Sequence, residues 1–138
     1  LGEFLALAVS LEDLGIKTSN NASKILAKTL DAATGKLLDN NKNPSPKTGQ
    51  LDNRGSQFYL AMYWAQELAS QTEDLALQAK FTSLAQTLTE QEKTIVAELN
   101  AVQGQPVDIG GYYYPSPEKL KAIMCPSATF NAALTSAA

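Results

Sequence analysis

The sequence predicts an all-α fold, an irregular helical bundle of roughly five main helices followed by short C-terminal helices. Three observations carry this. Apolar residues recur at spacings of three and four through most of the 138 positions. No segment alternates apolar and polar residues for long enough to read as a strand. Asn, Ser or Thr precedes most of the periodic runs, where a helix needs acceptors for its first free N–H groups.

The elements follow in order. Leu1, Phe4, Leu5, Leu7, Ala8, Leu11 and Leu14 form a first helix that is apolar on more than one face, so it should be buried in the middle of an assembly, with Gly15 as its stop. Asn20 or Asn21 caps a second helix to about Leu38, with Ile25, Leu26, Leu30, Ala33 and Leu37 inward and Lys24, Lys28, Asp31 and Lys36 in water. From Asp39 to Gly55 the composition turns to Asn, Lys, Pro, Ser and Gly, and Pro44 and Pro46 forbid a helix. Long loops of this kind are where function concentrates. Ser56 is expected to cap a third helix to about Gln71, carrying Phe58, Tyr59, Leu60, Met62, Tyr63, Trp64 and Leu68. Thr72 should open the next, with Glu73 and Asp74 in its first turn. The apolar spacing from Leu77 to Val102 is broken near Leu88, where Thr89 and Glu92 read as a capping box. After Gly104 comes a loop to Pro117, then a short helix capped by Ser116 and a last one from Ser127 through Leu134, with a frayed alanine-rich tail.

Bulk properties exclude several function classes. The length fits one helical domain over residues 1–138. A net charge of -3 argues against a nucleic-acid or anionic-membrane surface. No apolar run is long enough to span a bilayer and no signal peptide is visible. With one cysteine, Cys125, there is no internal disulfide, which suits a cytoplasmic location. There is no histidine, so neither a Ser-His-Asp triad nor a His-ligated metal site can form. No catalytic residue and no metal ligand is assigned. With Leu1 in first place, the reading expects a fragment or processed product of a longer chain.

Two motifs invite ligands. Asp52-Asn53-Arg54-Gly55-Ser56 precedes a helix N-terminus, which can hold a phosphate or carboxylate, and Lys47 and Arg54 add charge. A capped turn with Arg54 on a local carboxylate explains the same residues and is favoured. Gly110-Gly111-Tyr112-Tyr113-Tyr114-Pro115 can stack on a base or a peptide, but tyrosines pinning the loop to neighbouring helices is the favoured account. Asn21-Ala22-Ser23 matches a glycosylation sequon, but with no secretory signal a helix cap is the better account. The paired carboxylates Glu73/Asp74 and Glu90/Glu92 sit where helix dipoles favour them.

Several longer strings are specific. Leu1-Gly-Glu-Phe-Leu-Ala-Leu-Ala-Val9, Ile25-Leu-Ala-Lys-Thr-Leu-Asp-Ala-Ala33, Leu51-Asp-Asn-Arg-Gly-Ser-Gln-Phe-Tyr-Leu-Ala61, Tyr63-Trp-Ala-Gln66, Pro106-Val-Asp-Ile-Gly-Gly-Tyr-Tyr113 and Pro126-Ser-Ala-Thr-Phe-Asn-Ala132 occur in this order. Together they closely resemble the C-terminal end of the monomeric, NADP-dependent isocitrate dehydrogenases of bacteria, across essentially the whole chain. The resemblance implies a parent several times longer that oxidises and decarboxylates isocitrate to 2-oxoglutarate with NADP and Mg²⁺ or Mn²⁺. It also implies that the metal ligands, isocitrate contacts and catalytic residues lie outside these residues. One NADP-phosphate position falls inside: where the family reads Pro-Ser-Arg-Lys, this chain has Pro44-Ser45-Pro46-Lys47. Pro46 thus replaces a cofactor-binding arginine, Lys47 and Arg54 are weak substitutes, Gln57 stands where the family tends to have His, and Cys125 where it tends to have Arg. The resemblance therefore implies a scaffold and one wall of the NADP site. The chain alone is expected to be inactive and not to bind NADP tightly. Expected partners are the remainder of the parent, or a second copy through exposed apolar helix faces. The alternatives are a stand-alone helical interaction module, a degenerate non-catalytic relative, or a cofactor-binding remnant.

Overall fold

The computed structural model describes residues 1–138. It contains seven helices and no strand: α1 (Gly2–Lys17), α2 (Asn21–Asp39), α3 (Asn53–Ser70), α4 (Leu75–Glu90), α5 (Glu92–Ala101), α6 (Pro117–Met124) and α7 (Ala128–Ala137). None of them is long and apolar enough to cross a membrane. Each of the first four packs on the next, α5 returns to α3 and α4, and α7 closes over α4 and α5.

The first boundary differs from the sequence expectation. Gly15 does not end α1; it lies inside it and is buried. A Cβ there would stand 2.6 Å from Lys24 Cγ and 3.0 Å from the Asn20 carbonyl oxygen and the Lys24 backbone nitrogen. Gly15 is therefore the point of closest approach between α1 and the start of α2. The real stop is Ser19, at φ 55°, with Ser19 N–H donating to the Ile16 carbonyl and Asn20 N–H to that of Gly15. This is a Schellman closure with a serine in the left-handed position that glycine usually takes. Asn41, also at φ 55°, ends α2 in the same way through Asn41 N–H to Leu38 and Lys42 N–H to Leu37.

Two caps also differ. Asp52, not Ser56, caps α3, accepting from the N–H groups of Arg54 and Gly55, and Ser56 is a buried residue of the first turn. Asp74, not Thr72, caps α4, accepting from Ala76 and Leu77 N–H. In both, the aspartate stands directly before the first helical residue, where its carboxylate reaches the free N–H groups; Ser56 lies too far in and Thr72 too far out. The break between α4 and α5 falls at Gln91 rather than Leu88. No capping box forms, because Thr89 lies inside the last turn of α4, where its hydroxyl donates back to the Ala85 carbonyl. Asn20, Ser116 and Ser127 cap as expected. The alanine-rich tail is not frayed: α7 continues to Ala137.

The core lies around α3. Phe58, Leu30, Leu37, Leu68, Leu88 and Ile95 are its largest fully buried side chains, and the Phe130 ring of α7 meets Phe58 edge-on at 5.3 Å. Because α3 is covered by α2, α4 and α5, its apolar residues on several sides are satisfied within the chain. Those of α1 are not. Only Ala8 and Gly15 of α1 are buried, while Leu1, Leu5, Leu7, Val9, Leu14 and Ile16 are exposed. The expectation of a buried α1 is thus not met within these residues. The inward ridge of α1 serves α2, and an apolar flank remains on each side of it.

Polar links fix how the helices sit. Trp64 Nε1 donates to Thr29 Oγ1 at 3.0 Å, joining α3 to α2, and Tyr59 Oη donates to Glu92 Oε1 at 2.7 Å, joining α3 to α5. Lys28 pairs with Glu73, and Lys36 with Glu67. Glu98 holds the start of α7, accepting from Ser127 Oγ at 2.5 Å, Thr129 Oγ1 at 2.8 Å and Thr129 N–H at 3.2 Å. The Ser127 and Thr129 hydroxyls lower the Glu98 pKa, outweighing desolvation. A carboxylate whose folded pKa is depressed adds stability above its ordinary range and loses it as pH falls through the folded value. We predict that acidification from pH 7 to below the glutamate range lowers the protection factors of α7 amides, each taken against the intrinsic exchange rate at that pH, before those of α2 and α3, and that Glu98→Gln brings on that loosening at pH 7. Equal response of α7 and α2 amides would defeat this.

The Tyr112–Tyr114 segment corrects another expectation. These rings do not pin the loop to helices: they are 86%, 87% and 92% exposed. The loop closes without them, through Ser116 N–H to the Ile109 carbonyl at 2.7 Å and through Asp108, which accepts from Gly110 N–H and from Lys119.

Candidate functional site: the 45–51 loop and its cleft

The loop between α2 and α3 is short of regular structure but tightly closed. Ser45 N–H donates to the Leu51 carbonyl at 2.7 Å, Ser45 Oγ to Gln50 Oε1 at 2.6 Å, and Gln50 N–H to the Lys47 carbonyl at 3.2 Å. Lys47 N–H reaches back to Ser45 Oγ at 3.2 Å. Gly49, at φ +84°, completes the turn in a conformation that other residues rarely adopt.

Beside this loop is a shallow cleft of about 290 Å³ that contains Pro46, Lys47, Arg54 and Ile123 in its lining. The structure therefore brings all three sequence-predicted positions together. Their states differ. Pro46 is exposed and offers no donor. Lys47 is exposed and pairs with no carboxylate. Arg54 is already committed: its Nε and Nη2 donate to Asp52 Oδ2 at 2.9 and 2.5 Å, and its Nη1 to the Ile123 carbonyl at 2.9 Å. Burial raises the Asp52 pKa, but the Arg54 hydrogen bonds and charge, with the Gly55 N–H, outweigh it and leave it lowered. The capped-turn account of this motif thus holds, and Arg54 ties α3 to the end of α6. Gln57 is exposed one turn further along α3, and Cys125 is exposed at the end of α6, two residues past Ile123.

The donors present are one uncommitted cation, the Lys47 ammonium, and the neutral Thr48 and Gln105 side chains. They do not close a phosphate site, which takes a bidentate guanidinium or several converging N–H groups. No three His, Cys, Asp or Glu side chains gather where they could hold a metal ion. Gln103, absent from the sequence-based selection, also lines the cleft. It carries no charge or motif, so no local signal marked it.

The helical scaffold thus carries a polar cleft at the 45–51 loop. Residues 1–135 match the family model described as monomeric isocitrate dehydrogenase, so the chain belongs to that family. It is similar to isocitrate dehydrogenase (NADP) 2 of Mycobacterium tuberculosis, 67% identical over 97% of this chain and 18% of that protein. The NADP isocitrate dehydrogenase of Azotobacter vinelandii is 62% identical over 97% of this chain and 18% of its own length. Isocitrate dehydrogenase (NADP) 2 of Colwellia maris is 62% identical over 98% and 18%. The chain thus spans about 18% of the length of the relatives it matches.

Proposed function

We propose that these residues form a single helical unit, the C-terminal part of a cytoplasmic NADP-dependent isocitrate dehydrogenase. The whole protein would oxidise and decarboxylate isocitrate to 2-oxoglutarate with Mg²⁺ or Mn²⁺. The observation that carries this reading is the family match along residues 1–135. NADP, when bound, accepts the hydride taken from isocitrate. The role of this chain is to hold one wall of that cofactor's site. Lys47 contributes one charge toward a phosphate, and Arg54 holds the end of α6 against α3. The remainder of the parent covers the apolar flanks of α1.

The isolated chain is predicted to show no isocitrate-dependent NADP reduction with Mg²⁺ or Mn²⁺ present, whereas the whole protein turns over. Turnover by the chain above a metal-free blank would overturn the assignment of chemistry to the rest of the protein. The exposed apolar flanks of α1 favour a second reading, a helical interaction module that self-associates. Sedimentation of the isolated chain separates the two: a monomer at high concentration counts against the module.

A further inference from the structure

Gln103 stands just beyond α5, 53 positions in sequence from the loop it touches. Its side-chain amide meets that loop with both of its ends. Oε1 accepts from Gly49 N–H at 2.8 Å and Nε2 donates to the Gln50 carbonyl at 2.9 Å. Nε2 also lies 3.2 Å from Asn100 Oδ1, and Gln103 N–H donates to the Asn100 carbonyl, which anchors the clamp to the last turn of α5. The next residue adds an independent contact. Gly104 has φ +76°, and a Cβ on it would stand 2.9 Å from Thr48 Cγ2, so the chain after α5 passes directly against the loop.

The loop's internal hydrogen bonds set its shape, but none of them sets where it sits on the bundle. That task falls to Gln103, Gly104 and the two ends of the loop. Lys42 helps at the first end, with its ammonium 4.2 Å from the centre of the Tyr59 ring, which Glu92 holds in turn. Asp52 helps at the second by capping α3. Between these ends only Gln103 makes side-chain hydrogen bonds from another element to the Lys47–Gln50 turn.

We propose that Gln103 is a positioning residue for the cofactor wall: by holding the Gly49 N–H and the Gln50 carbonyl together it fixes the place from which Lys47 meets a phosphate. This rests on the reading of the cleft as part of the NADP site. The role runs through backbone, so it does not depend on the identity of residue 46.

Two measurements test it. In the chain itself, Gln103→Ala should speed hydrogen exchange of the Gly49 amide about tenfold, roughly the worth of one lost hydrogen bond, while the amides of α2 and α3 keep their rates. Gln103→Glu keeps an acceptor for Gly49 N–H and should restore much of that protection. In the whole protein, Gln103→Ala should raise KM for NADP severalfold with kcat held, the signature of lost binding rather than lost chemistry. An unchanged Gly49 rate would overturn the clamp. Equal acceleration of core amides would reduce Gln103 to a general stabiliser and overturn the positioning role, as would local acceleration with no change in KM. If the unaltered whole protein reduces no NADP, the proposed function fails, and the exchange measurement still decides whether the clamp exists.

Discussion

Replacing Phe58 by alanine is expected to lower the unfolding free energy by about 3–5 kcal/mol, the range for truncating a fully buried aromatic ring. Phe58 is 0% exposed and sits in the second turn of α3. Its ring meets Tyr59 at 5.3 Å in a tilted arrangement and Phe130 at 5.3 Å nearly perpendicular, the edge-to-face geometry that aromatic quadrupoles favour. Truncation removes buried apolar surface, leaves a cavity that rigid helices cannot collapse, and takes away the partner that seats α7. A chain of this size is stable by only about 5–15 kcal/mol, so the loss is a large share of the total. Equilibrium denaturation in urea measures it. Tyr114→Ala is the control: its ring is 92% exposed, so the change should stay within about 0.5 kcal/mol. Equal losses from the two substitutions would contradict the placement of α3 at the centre.

The contrast between these two aromatics shows what the sequence carries and what it does not. Periodicity located the first five helices and capping residues the last two, and of the inward face expected for α2, Ile25, Leu30, Ala33 and Leu37 are buried and Leu26 is half-buried. Periodicity counts apolar faces, however, and cannot say which neighbour covers them. The first helix and α3 look alike in sequence, both apolar on several sides, yet α3 is enclosed by its neighbours and α1 keeps two exposed flanks. The end of α1 was missed because its special backbone conformation falls on an unusual residue. Ser19 takes the left-handed position there, and Gly15, the obvious candidate, serves helix contact instead. At the cleft, Pro46 and Lys47 were legible through the resemblance, and Arg54 with its local carboxylate through the Asp52–Ser56 motif before a helix start. Gln103 was not, because its partners lie more than fifty residues away and an uncharged amide has no sequence signature.

The same cleft yields the largest expected effect on ligand binding. Pro46→Arg should tighten NADP binding about tenfold or more, since a charge-assisted hydrogen bond is worth about 1.5–3 kcal/mol. Three features of the loop favour a productive arginine. The carboxylate lining the cleft, Asp52, is already engaged by Arg54, so it does not draw the new guanidinium away. Proline donates no backbone hydrogen bond at this position, so no existing bond is lost. The turn is held by Ser45, Gln50 and Gln103, so it does not depend on the proline ring. The opposing term is entropy: releasing proline's fixed φ loosens the unfolded chain by about 0.4–1 kcal/mol of stability, which is smaller than the expected binding effect. Pro46→Ala isolates that term and should not improve binding. Pro46→Lys adds the charge without the planar fork and should recover only part of the effect. The affinity for NAD, which lacks the 2′-phosphate, should stay within twofold of its starting value, roughly 0.4 kcal/mol. Titration of the whole protein with each nucleotide reads all of these together. Equal tightening for NAD and NADP would mean that residue 46 meets some other part of the cofactor. No tightening for either would place the phosphate away from this loop and remove the cleft from the NADP site.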